Sequence, residues 1–184
     1  MEWSFSILLA KPLTSEQADA FDHCDALADG AISYTLPPED PAAHPKSPDA
    51  SLLRELACDI EAPTLLDAVA QAVQRIRLIG GLQAVGVALP ETVTLDEAAQ
   101  RSGLGAQSLA QSSQDRHFPA PVSREGTVLY AWDQVLAYLR EVGHPVPDVP
   151  QDLAIAEQAL RLVAALDGAD ISLGTLRALG LSID

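Results

Sequence analysis

Large rings, sulfur and positive charge are all scarce in this chain. Aromatic residues make up 4% of its 184 positions, so Ala, Leu and Val must fill most of any core. The two cysteines, Cys24 and Cys58, are too few for a disulfide framework and read as reduced core thiols. Four histidines without a His-x-x-x-His spacing, and no Cys-x-x-Cys, leave no recognisable zinc site. No apolar run is long enough to span a bilayer, and Met1-Glu2-Trp3 has no basic region of a secretory signal. These features point to a cytoplasmic protein without a membrane partner. Eleven Lys and Arg stand against 26 Asp and Glu, giving a net charge of −15. A field of that sign repels phosphate, so it removes the general electrostatic route to nucleic acid. Disorder is excluded by an apolar fraction of 48%.

Hydrophobic periodicity divides the chain into three parts. In residues 1–90, Trp3, Phe5, Ile7 and Leu9 alternate with Ser4 and Ser6, as expected of a strand with one buried face. Thr14-Ser15-Glu16-Gln17 reads as a capping box opening a helix whose apolar face is Ala18, Phe21, Cys24 and Ala28. Ile32, Tyr34 and Leu36 form a second strand. A loop with five prolines follows from Pro37 to Ala50, outside the packed elements. Leu56, Cys58 and Ile60 form a third strand. Leu66, Val69, Val73 and Ile76 line a second helix, and Val85, Val87 and Leu89 a fourth strand. The order β-α-β-β-α-β predicts an α+β fold, a ferredoxin-like domain with two helices on one face of a four-stranded sheet. That fold hosts many functions and names none.

Residues 91–143 are built differently. Thr94-Leu95-Asp96-Glu97 is a second capping box, and its helix runs to about Arg101 with Leu95, Ala98 and Ala99 inward. Ser102-Gly103-Leu104 is a tight turn, and a short helix is expected from about Ala106 to Ser113. Phe118 to Val122 is extended, a turn spans Ser123 to Gly126, and Thr127 to Tyr130 is a strand. Trp132 or Asp133 opens a third helix with Val135, Leu136, Leu139 and Val142 inward. Residues 144–184 comprise a Pro-rich linker, a helix from Leu153 to Leu166 with Leu153, Ala156, Leu160 and Val163 on one face, and a tail with Leu173, Leu176 and Leu179. Net charge by part is −8, −3 and −4, so the middle is the least acidic in net charge but is not basic.

Helix, glycine turn, short helix, hairpin and helix is the order of a winged helix-turn-helix. The run Val93-Thr94-Leu95-Asp96-Glu97-Ala98-Ala99, Gly103-Leu104, Phe118-Pro119-Ala120-Pro121-Val122, Leu129-Tyr130-Ala131-Trp132 and Val135-Leu136-Ala137-Tyr138-Leu139 resembles the AlpA/excisionase-like branch of the MerR-type DNA-binding fold. The resemblance covers about 50 residues, and the Phe-Pro-x-Pro-Val step with a helix-opening Trp is its most specific part. It implies a bacterial regulator that binds a short double-stranded DNA site and is not an enzyme.

Under that reading Gln107, Ser108 and Gln111 offer hydrogen bonds to bases or phosphates. Arg101, Arg116, His117 and Arg124 are the nearby cations, with Arg124 at the wing tip. Arg, Lys or Tyr are common on such recognition helices, and their absence departs from the pattern. The N-terminal domain and C-terminal helix are then left to sense a signal, form a homodimer or bind a protein partner. The alternative reading is an acidic antitoxin-like or adaptor protein whose helix-turn-helix is degenerate and binds protein. No cofactor, metal or catalytic residue is indicated. His23 with Asp22 and Asp25, and the pair Glu39-Asp40, read as solvated faces. Gly80-Gly81 ends a helix and lacks the Lys-Ser/Thr of a phosphate loop.

Overall fold

The computed structural model describes residues 1–38, 51–124, 126–167, 169 and 171–181, with the side chains of Ser123, Arg124 and Leu173 outside that description. Most of the Pro37–Ala50 loop, with His44, Glu39 and Asp40, therefore lies outside the described residues. The fold is mixed α+β and carries a four-stranded antiparallel sheet.

Four strands, β1 (Glu2–Leu9), β2 (Ile32–Tyr34), β3 (Glu55–Glu61) and β4 (Ala84–Ala88), pair in the order β2-β3-β1-β4. Phe5 lies opposite Cys58 and Ile7 opposite Leu56 on the central pair. This register puts the apolar set Phe5, Ile7, Leu56, Cys58 and Ile60 on one face, all nearly inaccessible. On the opposite face stand Ser4, Asp59 and Ala57, and Ser4 Oγ donates to Asp59 Oδ1 at 2.6 Å. Helices α1 (Ser15–Asp22) and α2 (Leu65–Ile76) cover the apolar face, and burial of Leu65, Ala68, Val69, Ala72, Val73 and Ile76 makes α2 the main lid. Burial pushes the Cys58 thiol up to about 12, so it stays protonated and inert.

The first helix is shorter than its periodicity predicts. The capping box at Thr14 forms as expected, with Gln17 returning its side chain to the Thr14 N–H. However, α1 stops at Asp22, and a single 3-10 turn follows over Asp25–Leu27. An unbroken α-helix would aim Ala28 at the sheet. The break aims the larger Leu27 there instead, and Ala28 is exposed.

A second core is centred on β5 (Thr92–Val93), α3 (Leu95–Ser102), α4 (Ala106–Ser112), β6 (Val122–Arg124), β7 (Thr127–Ala131) and α5 (Trp132–Glu141). The three strands pair in the order β5-β7-β6. Tyr138 is buried where Val142 was expected, and Val142 is 48% exposed. The helix ends at Glu141, so Val142 is its C-cap and lies past the packed face, while the ring of Phe118 meets Tyr138 edge-on at 5.1 Å and Tyr130 at 5.4 Å.

The C-terminal segment is not a free tail. Helix α6 (Gln151–Leu166) lies against β4 and α2, and its Ala156 and Leu160 are buried in the first core. Leu153 is partly buried there, whereas Val163, expected on the same face, is 45% exposed. In α7 (Leu173–Ala178) Leu176 is buried and the following Leu179 is exposed. No helix among the described residues is long and apolar enough to cross a membrane.

The docking of α6 predicts unequal costs along one helix. Leu160→Ala should destabilise the chain by about 2–4 kcal/mol, the range for truncating a buried leucine. Ile155→Ala, at a position 45% exposed, should cost under about 1 kcal/mol. Urea unfolding of both variants checks this, and equal small effects would show that α6 is not held by the first core.

Candidate functional site

Two short helices joined by a glycine turn present the polar face that the sequence singles out. Helix α3 begins with the Thr94 capping box: Glu97 N–H donates to Thr94 Oγ1 at 3.2 Å, and Thr94 N–H donates to Glu97 Oε2 at 2.7 Å. It ends at Gly103, whose φ of 71° is the left-handed geometry that glycine adopts without strain. Three residues later, at Ala106, α4 starts. Only Leu109 of α4 is buried, fixing the helix against the second core.

Gln107, Ser108 and Gln111 are all exposed and, at spacings of one, three and four residues, occupy one side of α4. Among the described residues their side chains take part in no hydrogen bond within the chain. Their neighbours differ. Ser112 Oγ donates to Ser108 O at 3.1 Å and Ser113 Oγ to Ala110 O at 2.8 Å, so these hydroxyls are turned onto the helix backbone.

The cations are arranged less favourably than expected. Arg101 is not at the surface: it is 9% exposed, donates to Pro90 O at 2.8 Å, and holds its guanidinium 5.6 Å from the Trp132 ring centroid. Its place follows from helical spacing, since residue 101 is three beyond the fully buried Ala98 and so faces inward. Burial pulls its pKa down to about 10, which leaves it charged at neutral pH. Arg116 is exposed and makes no ion pair among the described residues. His117 is exposed but engaged, with both its backbone N–H and Nδ1 on Asp115 Oδ1 at 2.9 and 3.1 Å. Those contacts, the backbone N–H first, hold the Asp115 carboxyl below its usual range. By its backbone Arg124 pairs with Thr127 across the hairpin, while its side chain lies outside the described residues.

Arg140, the remaining arginine of this segment, is spent on structure. It forms an ion pair with Asp148 at 2.7 Å and donates twice to Val146 O. That clamp binds the start of the Pro-rich segment to α5 and helps seat Val146 in the second core. Sequence reasoning missed the partners of Arg101 and the folding-back of residues 146–150. The signal available for the first was the inward position of residue 101 together with an unassigned Trp132. No protein-family model, curated protein or solved structure matches this chain.

Phe118 sets the exit from α4 and contacts rings from both β7 and α5. Phe118→Ala should therefore destabilise by about 3–5 kcal/mol, as for other buried aromatic truncations. Loss of the near-ultraviolet tyrosine signal should accompany it. A change under about 1 kcal/mol in chemical denaturation would contradict the arrangement.

Proposed function

We propose that the chain is a DNA-binding regulator in which residues 91–143 act as a winged helix-turn-helix. In this reading α4 enters the major groove, the β6–β7 hairpin is the wing, and residues 1–90 form a ferredoxin-like unit that senses a signal or dimerises. It is a cytoplasmic regulator and not an enzyme. The carrying observation is the face Gln107–Ser108–Gln111: three exposed polar side chains on a helix fixed from beneath by Leu109, none engaged within the chain among the described residues. Glutamine amides can pair bidentately with adenine, and serine hydroxyls with bases or phosphates. The order β2-β3-β1-β4, with every neighbouring pair antiparallel, supports the ferredoxin-like reading of the first unit.

The positions of the arginines shape what such binding would look like. Arg101 and Arg140 are committed internally, which leaves Arg116 among the described side chains for phosphates, with Arg124 assigned to the wing tip by its place in the sequence, within a chain of net charge −15. With about 0.9 counterion released per phosphate contact, two contacts give a salt slope of only about −2 per module. Two modules in a homodimer on paired half-sites would double it.

A second reading is favoured by the same electrostatics. The burial of Arg101 and the excess of carboxylates fit an acidic antitoxin-like or adaptor protein that neutralises a basic protein partner through a helix-turn-helix no longer used on DNA.

Fluorescence anisotropy on labelled duplexes over a salt series separates the readings. Arg116→Ala and Arg124→Ala should weaken binding to all sequences and make the slope shallower by about one unit each. Gln107→Ala or Gln111→Ala should relax base preference by about 1–3 kcal/mol at single positions. Absence of wild-type binding to genomic fragments at low salt transfers the conclusion to the adaptor reading.

A further inference from the structure

Arg101 carries a consequence independent of DNA. It lines a cleft of about 520 Å³ whose other walls include Leu89, Trp132, Val149 and Leu153. That size suits a small organic ligand. Three parts of the chain meet there: the β4–β5 connection, the α3–α5 pair, and the segment leading into α6. Arg101 is nine-tenths buried, yet no carboxylate of the described residues lies within ion-pair distance of it. Among the described residues one of its five N–H donors is used, on Pro90 O. Glu97, the acid that acts on it electrostatically, is engaged in the Thr94 capping box. A buried guanidinium without a counter-ion is costly, and pairing it with an anion recovers much of that cost.

We propose that this cleft binds a small monocarboxylic acid with an apolar body, its carboxylate on Arg101 and its hydrocarbon part against Leu89, Trp132 and Leu153. Glu91, Asp133 and Asp148 also line the cleft and are exposed, so they form its mouth, with Asp148 already paired to Arg140. They act against polyanions. A single carboxylate is neutralised by Arg101, whereas a phosphate or a di-acid leaves charge facing these acids. Because α6 docks on the first core, a ligand here bridges the two cores and raises the stability of their joint arrangement.

The test uses the full chain carrying Trp3→Phe, in which Trp132 is the sole tryptophan. Among the described residues Trp3 Nε1 is buried without a hydrogen-bond partner, so this change removes an unsatisfied donor and keeps an aromatic ring. Trp132 emission is titrated with phenylacetate, phenethylammonium and inorganic phosphate. The expected result is saturation by phenylacetate in the millimolar range or below and none by the other two. Affinity should fall at least about tenfold in Arg101→Met, which removes the charge, and in Val149→Phe, which narrows the cleft from an exposed linker position. Circular dichroism checks the fold; if Arg101→Met is unfolded, Val149→Phe decides, since it leaves Arg101 in place. No saturation by phenylacetate up to roughly 10 mM overturns the proposal, that being a generous ceiling for a ligand of this size. Equal affinity for phenethylammonium, or unchanged affinity in a folded cleft variant, overturns it as well.

Discussion

The ring of Phe118 holds the second half of this protein together. Three aromatic residues, Phe118, Tyr130 and Tyr138, meet edge to face, and they come from the loop after α4, from β7 and from α5. In a chain with 4% aromatics that concentration is the main source of large buried area for a core of ten buried residues among those described. It fixes the end of α4, the hairpin and the third helix relative to one another. The outward face of α4 is consequently fixed in orientation, and among the described residues Gln107, Ser108 and Gln111 are carried on it without hydrogen-bonding to the rest of the fold.

The arginines divide between structure and surface in a way that composition conceals. Arg101 caps the floor of the second core by lying over Trp132 and bonding Pro90 O, and Arg140 clamps the Pro-rich segment through Val146 O and Asp148. The chain thus spends two of its scarce positive charges on joining its parts. Base-edge hydrogen bonding, not phosphate attraction, then has to supply most of any DNA affinity, and sequence discrimination should be large relative to total affinity. The same economy leaves Arg101 in a cleft with no carboxylate of the described residues paired to it.

Much of the fold was legible because its elements announce themselves locally. Both capping boxes, at Thr14 and Thr94, form as their spacing predicts, and the alternation of Phe5, Ile7, Leu56, Cys58 and Ile60 gives the buried face directly. Local signals failed where a distant partner decides. Leu27 displaces Ala28 because the sheet rewards the larger side chain, and Tyr138 is buried because Phe118 is there to meet it, while α5 ends before Val142. Arg101 was misplaced for a related reason: charge suggested a surface role, whereas its three-residue spacing from Ala98 pointed inward and Trp132 provided a face to cover. The docking of α6 into the first core was invisible to periodicity, which gives a helix's apolar face but not the surface that receives it.

Chemical-shift mapping of the isotope-labelled full chain with a duplex is the sharpest test of α4 as the DNA-contacting helix, because it locates the contact instead of only detecting it. Perturbations should concentrate on residues 106–112, on Arg116 and on the β6–β7 hairpin, with the four-stranded sheet unaffected at its open face. Perturbations centred on residues 1–90, or none at low salt and high duplex concentration, would contradict that role.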